Sequence, residues 1–168
     1  ISSDNVAGAR LAGEYLIELI GENSKVAELI GIPGATATID RGKGFHQSAD
    51  GKLNIVASQT ANFNRAEGLT VMENILQANP DIKGIFAHND EMALGALEAV
   101  ESLGKDIVII GFDATDDAIY AVQTGTMKAT VAQQPELMGA IAIETALKII
   151  NGETVEKTIP VEITLIKE

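Results

Sequence analysis

The stretch Gly84-Ile85-Phe86-Ala87-His88-Asn89-Asp90-Glu91-Met92-Ala93-Leu94-Gly95-Ala96 decides the fold. Its first four residues are apolar without alternation and too few for a helix, which marks a strand covered on both faces. Asn89 and Asp90 then offer a helix cap and a first-turn acid. An apolar helical pattern over 90–103 follows at once. A buried strand that feeds directly into a helix is one unit of a parallel sheet.

The same alternation extends outward in both directions. Upstream, a helix over 4–20 sets Ala9, Gly13, Leu16 and Ile20 on one face. A strand over 26–30 is closed by Gly31-Ile32-Pro33-Gly34, and a less apolar helix over 36–47 carries Asp40, Arg41 and Lys43. Next come a strand over 53–57 and a helix over 65–78 with Leu69, Met72 and Leu76 inward, broken by Asn79-Pro80-Asp81. Downstream, strands are predicted at 107–111, 129–132 and 161–166, and helices at 116–122 and 135–150. Short connections between alternating elements imply an α/β fold, a doubly wound, mainly parallel sheet with helices on both faces. The helix over 135–150 stands apart. Met138, Ala142 and Ile149 lie on one side and Ile143, Ala146 and Ile150 on another, so it wants cover on more than one side.

Composition narrows the function classes. Hydrophobic residues make 46% of the 168 positions and charged residues 21%, the balance of one globular domain. Twelve Lys and Arg against 24 Asp and Glu give a net charge of −12, which leaves no basic footprint for nucleic acid. The absence of cysteine excludes disulfides, thiolate zinc sites and a cysteine nucleophile. No apolar run approaches the ~18 residues that span a bilayer. The opening Ile1-Ser2-Ser3-Asp4 carries neither an initiator Met nor a signal peptide and reads as part of a longer chain.

Ligands of open α/β sheets bind beyond the carboxyl ends of the strands. There the sequence places Arg41, Phe63, Asn89, Phe112, Asp113 and Gln133. Asn, Asp, Gln and Arg are planar groups that can each bond two adjacent hydroxyls, and Phe offers an apolar face to a ring. Plainer readings stand beside these. Capping alone accounts for Asn89 and Asp90, and Phe112 reads equally well as core. Arg41 also reads as a surface partner of Asp40 or Glu28, and Gln133 as a loop residue. His46 reads as solvent-facing and His88 as structural. Asp113 is harder to assign to structure, because Thr115 already supplies a cap for the next helix. No G-x-S-x-G, H-E-x-x-H, P-loop lysine or G-x-G-x-x-G following a strand is present, so neither catalysis nor a metal or other cofactor is expected.

Ile1-Ser2-Ser3-Asp4-Asn5, Arg41-Gly42-Lys43-Gly44-Phe45, Phe63-Asn64-Arg65, Asn89-Asp90-Glu91-Met92-Ala93-Leu94-Gly95-Ala96 and Gly111-Phe112-Asp113 together resemble bacterial ribose-binding proteins of sugar ABC transporters. The resemblance runs the length of the chain; the Asn89–Gly95 motif alone also fits LacI-type regulators, whose effector domain is the alternative reading. A sugar hydrolase or isomerase is a more distant third. The resemblance implies a lobe with flavodoxin-like strand order. It also implies that Arg41, Phe63, Asn89, Phe112, Asp113 and Gln133 contact D-ribose or a close pentose. Asn64, His88 and Ala114 depart from the pattern, where Asp, Gln and Gly are usual.

In the family two lobes close on one sugar, outside the cytoplasmic membrane, and the closed form docks on a permease. The resemblance therefore divides this chain into a sugar-binding lobe over 1–133, a segment over 134–160 that crosses to an N-terminal lobe absent here, and a return strand and hinge over 161–168. It implies weak or no binding by the isolated lobe. The 135–150 helix is then expected to pack on this lobe, to self-associate with a second chain, or to be poorly ordered.

Overall fold

The computed structural model describes residues 1–167. Six strands form the main sheet: β2 (Lys25–Ile30), β3 (Asn54–Thr60), β4 (Gly84–Ala87), β5 (Val108–Asp113), β6 (Ala129–Ala132) and β8 (Thr164–Lys167). Their order is β3-β2-β4-β5-β6-β8, with all neighbours parallel except the antiparallel pair β6–β8. The five parallel strands thus follow the flavodoxin-like 2-1-3-4-5 arrangement. Two short strands, β1 (Ser2–Ser3) and β7 (Pro160–Val161), pair in parallel as a separate ribbon.

Successive strand residues point to opposite faces, and both faces are covered. Val26, Phe86, Ile110, Phe112 and Val131 pack with Ala9 and Leu16 of α1 (Asn5–Ile20) and Phe45 of α2 (Thr36–Ala49). On the other face Ala27, Leu29, Ile85 and Ile109 meet Met72, Ile75 and Leu76 of α3 (Arg65–Ala78), Met92 and Ala96 of α4 (Asp90–Ser102), and Ala118 and Val122 of α5 (Asp116–Gln123). This two-sided burial is why the strands read as unbroken apolar runs. Each large buried side chain contributes about 1.5–3 kcal/mol. The helices start where the polar residues cap them: Asp4, Asn64, Asn89 and Thr115 accept from the backbone N–H of Ala7, Glu67, Met92 and Ala118.

Three boundaries differ from the sequence expectation. β3 runs three residues further, to Thr60, because β2 pairs with it to its own end at Ile30. β5 includes Phe112 and Asp113, so Asp113 is its terminal residue. The single strand expected at 161–166 is two elements in two sheets, β7 and β8. Pro160 lacks the N–H needed for a central ladder and sits in the short ribbon with Ser2. Residue 168, at the end of the expected return segment, lies outside the described residues.

The last helix, α6 (Pro135–Ile150), has the predicted bounds but not a central place. None of its residues is buried, and Ile143 and Ile150 are 67% and 78% exposed. Its first turns touch the lobe, where the Ser3 hydroxyl meets the Met138 sulfur and the Gln134 amide donates to the Glu162 carbonyl. The remainder does not pack on this lobe, which removes the first of the three expectations for it.

Helices α3 and α4 approach backbone to backbone at Gly95, where a Cβ would lie 2.1 Å from the Arg65 carbonyl oxygen. Gly139 on α6 has open space around it. Gly95→Ala should therefore destabilise the chain by about 1–3 kcal/mol through overpacking. Gly139→Ala should stabilise it by about 0.5–1 kcal/mol through helix propensity. Urea unfolding midpoints of the two variants check both.

Candidate ligand-binding site

At the carboxyl end of the sheet a cavity of about 300 Å³ is lined by Ala37, Arg41, Phe63, Asn89, Asp113 and Gln133. Five of the six sequence-predicted site residues thus converge from α2, the β3–α3 turn, the β4–α4 turn, β5 and the residue after β6. The sixth, Phe112, lies apart from them. Its side chain is fully buried and does not line the cavity. Strand alternation turns it to the α1–α2 side of the sheet, where it belongs to the core.

Phe112 nonetheless acts at the site through Arg41. The guanidinium lies 3.8 Å from the centre of the Phe112 ring, a close cation–π contact. Arg41 Nε donates to Asn5 Oδ1 at 2.9 Å, and Nη1 donates to the His88 carbonyl and faces Asp113 Oδ1 at 3.2 Å. Arg41 is 5% exposed, so it is not a surface partner of Asp40 or Glu28. Burial pushes its pKa down, and the Asp113 charge opposes that shift. Burial likewise pushes the Asp113 carboxyl up, opposed by Arg41 and reinforced by the nearby Asp90. Both partners carry a desolvation cost that their mutual attraction only partly offsets.

The backbone at the site is unusual. Asp113 has φ 129°, and Ala114 and Phe63 have φ of 57° and 58°. Left-handed conformations at non-glycine residues cost energy and persist where the surroundings enforce them. For Asp113 the enforcing contacts are visible. Gln133 Nε2 donates to its Oδ1 at 2.6 Å, and Ser3 Oγ donates to Gln133 Oε1 at 2.6 Å. The Ala114 N–H donates to Thr130 Oγ1 at 3.2 Å, and the Thr115 N–H donates to Asp90 Oδ2 at 2.8 Å. Asp90 also accepts from the Thr130 hydroxyl at 2.6 Å. It braces the turn after β5 and is fully buried, away from the cavity.

Asn89 does cap α4: its Oδ1 accepts from the Met92 N–H at 3.0 Å, while its Nδ2 lies 3.5 Å from the Phe63 carbonyl beside the cavity. The Phe63 ring rests on Gly31, where a Cβ would fall 2.1 Å from ring carbon Cζ. Ser3 and Asn5 are the residues that sequence reasoning missed. They lie 130 and 36 positions from the groups they hold, and no periodicity or motif spacing reports such contacts.

Beneath the cavity, Glu28 and His88 form a buried pair. His88 Nε2 lies 2.9 Å from Glu28 Oε1, and the Ser58 hydroxyl donates to Glu28 Oε2 at 2.5 Å. His88 is therefore structural in place, while His46 is half-exposed between Glu28 and Asp50. Larger grooves lie elsewhere, one of about 670 Å³ between α6 and residues 154–159. None gathers buried planar polar groups as this cavity does. Among the described residues no group of three or more His, Asp or Glu is placed to hold a metal ion.

The lobe has flavodoxin-like strand order with a polar cavity walled by Phe63 at the carboxyl end of its sheet, and the chain belongs to the periplasmic binding protein family. Residues 1–154 match the periplasmic binding protein domain. The ribose import binding protein of Bacillus subtilis (strain 168) is 54% identical, over 98% of this chain and 54% of its own length. That of Escherichia coli (strain K12) is 49% identical, over 99% and 57%. An ABC transporter periplasmic solute binding protein from Actinobacillus succinogenes 130z, solved with bound D-allose, superposes with a TM-score of 0.93 at 40% identity, over 99% of this chain and 60% of that one. This chain therefore spans between half and three-fifths of these relatives' lengths.

The Glu28 carboxyl carries a pH prediction. Burial would raise its pKa, but hydrogen bonds from His88 and Ser58 and the charge of the imidazoles outweigh burial and hold it below its ordinary 4.5. A depressed carboxylate adds stability that is fully present above its unfolded pKa and lost as pH falls through the folded one. Glu28→Gln should cost about 1–3 kcal/mol at pH 7. The difference from the native chain should shrink as pH falls below 4.5. Thermal or urea unfolding of both chains between pH 7 and pH 3 checks it.

Proposed function

We propose that this chain is the sugar-contacting lobe of an ABC-transporter solute-binding protein that takes D-ribose or a close pentose by two-lobe closure. The observation that carries this reading is the Arg41–Asp113 pair, with Arg41 buried against Phe112, at the floor of a cavity rimmed by Phe63, Asn89 and Gln133. Such a floor offers charge-assisted donors and acceptors to adjacent hydroxyls, and a ring face to the C–H side of a sugar. Gln133 and Arg41 both meet Asp113 at Oδ1, which leaves Oδ2 as the acceptor for a sugar hydroxyl. Phe63 supplies the ring face, Asn89 and Gln133 supply amides, and Phe112 supports Arg41 from beneath. No bond is made or broken; the domain binds and does not catalyse.

The cavity is one-sided, and a one-sided site leaves half of a sugar's polar groups in water. A second lobe supplies the rest and excludes solvent on closure. The uncovered apolar sides of α6 fit this reading as a surface for that second lobe, with self-association of two chains as the competing cover. The β1–β7 ribbon would then be the crossing point. The relatives' names support transport over the regulator reading, and with it an extracytoplasmic location and a permease partner.

Titration calorimetry with D-ribose tests the proposal. This chain alone should bind in the millimolar range or weaker, because ordering costs are met by half the contacts. A two-lobed protein containing this lobe should bind far more tightly, and Asp113→Ala in it should lose about 2–3 kcal/mol. Tight binding by this chain alone contradicts the half-site reading, and no binding by either protein contradicts the ligand.

A further inference from the structure

Two of the polar groups at the cavity are held from one short segment. Ser3, in β1, is buried, and its hydroxyl donates to Gln133 Oε1 at 2.6 Å. Asn5, at the start of α1, accepts from Arg41 Nε at 2.9 Å. The residue between them is fixed at both its backbone and its side chain. The Asp4 N–H donates to the Val161 carbonyl of β7 at 2.9 Å, and the Asp4 carboxylate caps α1 at the Ala7 N–H. Neither Ser3 nor Asn5 lines the cavity, so each reaches it through the residue it holds.

The chemistry of these neighbours dictates which end of the Gln133 amide faces which. Asp113, beside Arg41, is a carboxylate and can only accept. The amide therefore turns Nε2 to Asp113 Oδ1, at 2.6 Å, and Oε1 to Ser3. A carbonyl oxygen only accepts, so the Ser3 hydroxyl must donate. Asp113 engages one Nε2 hydrogen, and the second is left for the cavity that Gln133 lines. Asp113 by itself grips one end of a flexible side chain. The Ser3 hydroxyl grips the other end and so fixes the plane of the amide.

We propose that Ser3 is a positioning residue that orients the Gln133 amide, so that the cavity offers an N–H donor beside the Asp113 acceptor. The site then selects a ligand that carries an oxygen acceptor next to a hydroxyl donor. That consequence rests on the sugar-site reading; the hold on the amide does not. Met138 supplies an internal control. Its sulfur, a weak acceptor, lies 3.4 Å from the same hydroxyl. Ser3 has one proton to give, and the amide oxygen at 2.6 Å takes it. Asn5 is the less sensitive partner, because Arg41 is also held by Phe112, the His88 carbonyl and Asp113. Gln133 relies on Ser3 and Asp113.

The test follows the Gln133 side-chain amide by NMR in the whole chain and in Ser3→Ala, Ser3→Thr and Met138→Leu, without and with D-ribose. Without sugar, Ser3→Ala should move both Nε2 proton signals toward those of an unrestrained glutamine. Ser3→Thr keeps the hydroxyl and Met138→Leu removes only the sulfur, so both should leave the signals near their native positions. With sugar, Ser3→Ala should weaken D-ribose binding about 3–10-fold, the worth of one hydrogen bond, and Ser3→Thr should restore it. Gln133 signals that stay native in Ser3→Ala, or that Met138→Leu displaces equally, overturn the proposal. So does a folded Ser3→Thr that matches Ser3→Ala, or a Ser3→Ala that binds D-ribose as the native chain does. Ser3→Ala and Met138→Leu decide the matter even where Ser3→Thr fails to fold. A native chain that binds no D-ribose counts against the sugar reading, and the ligand-free amide signals still decide the hold by Ser3.

Discussion

The Arg41 guanidinium is clamped between the Phe112 ring and the Asp113 carboxylate, and most of the carboxyl-end architecture serves to keep it there. Burial disfavours the charge on both partners, and each partner's charge opposes that shift in the other. Around the pair α1 brings Asn5 to Nε, the end of β4 presents the His88 carbonyl, and Gln133 holds the carboxylate from the far side. The strained backbone at Asp113 and Ala114 belongs to the same device, with Asp90, Thr115 and Thr130 bracing the turn that aims the carboxylate into the cavity. A pre-paid, fixed pair of charges is what a site needs to bind hydroxyls without reorganising.

The site is also tied to the ends of the chain. Ser3 lies in β1, paired with Val161 of β7, and its hydroxyl holds Gln133, which holds Asp113. Displacement of the β1–β7 ribbon therefore reaches the cavity-facing carboxylate through two hydrogen bonds. Helix α6 leaves the lobe next to the same ribbon, with Met138 against Ser3. On the two-lobe reading, this places the crossing segments, the uncovered helix and the binding groups along one edge.

Most of the fold was legible because both-face burial writes itself as apolar runs such as Ile85-Phe86-Ala87 and Val108-Ile109-Ile110, punctuated by caps at Asn64, Asn89 and Thr115. The end of the chain was less legible. Pro160–Val161 and Thr164–Lys167 are contiguous in pattern, and only pairing partners assign them to different sheets. At the site, position after a strand was enough to gather Arg41, Phe63, Asn89, Asp113 and Gln133. It could not tell Phe112 from Asp113, adjacent residues on opposite faces, where a one-residue difference in strand end decides which enters the cavity. Nor could it supply Ser3, Asn5 or the Glu28–His88 pair, whose roles exist only once distant segments are folded together.

The central claim is that this lobe holds half of a sugar site built on Arg41 and Asp113. Backbone amide shifts on adding D-ribose to the isotope-labelled chain, up to saturating millimolar concentrations, test it most directly. The account predicts that perturbations cluster at residues 41, 63, 89, 113 and 133, with weak affinity. Perturbations along α6 and 154–159 instead, or none anywhere, would contradict it.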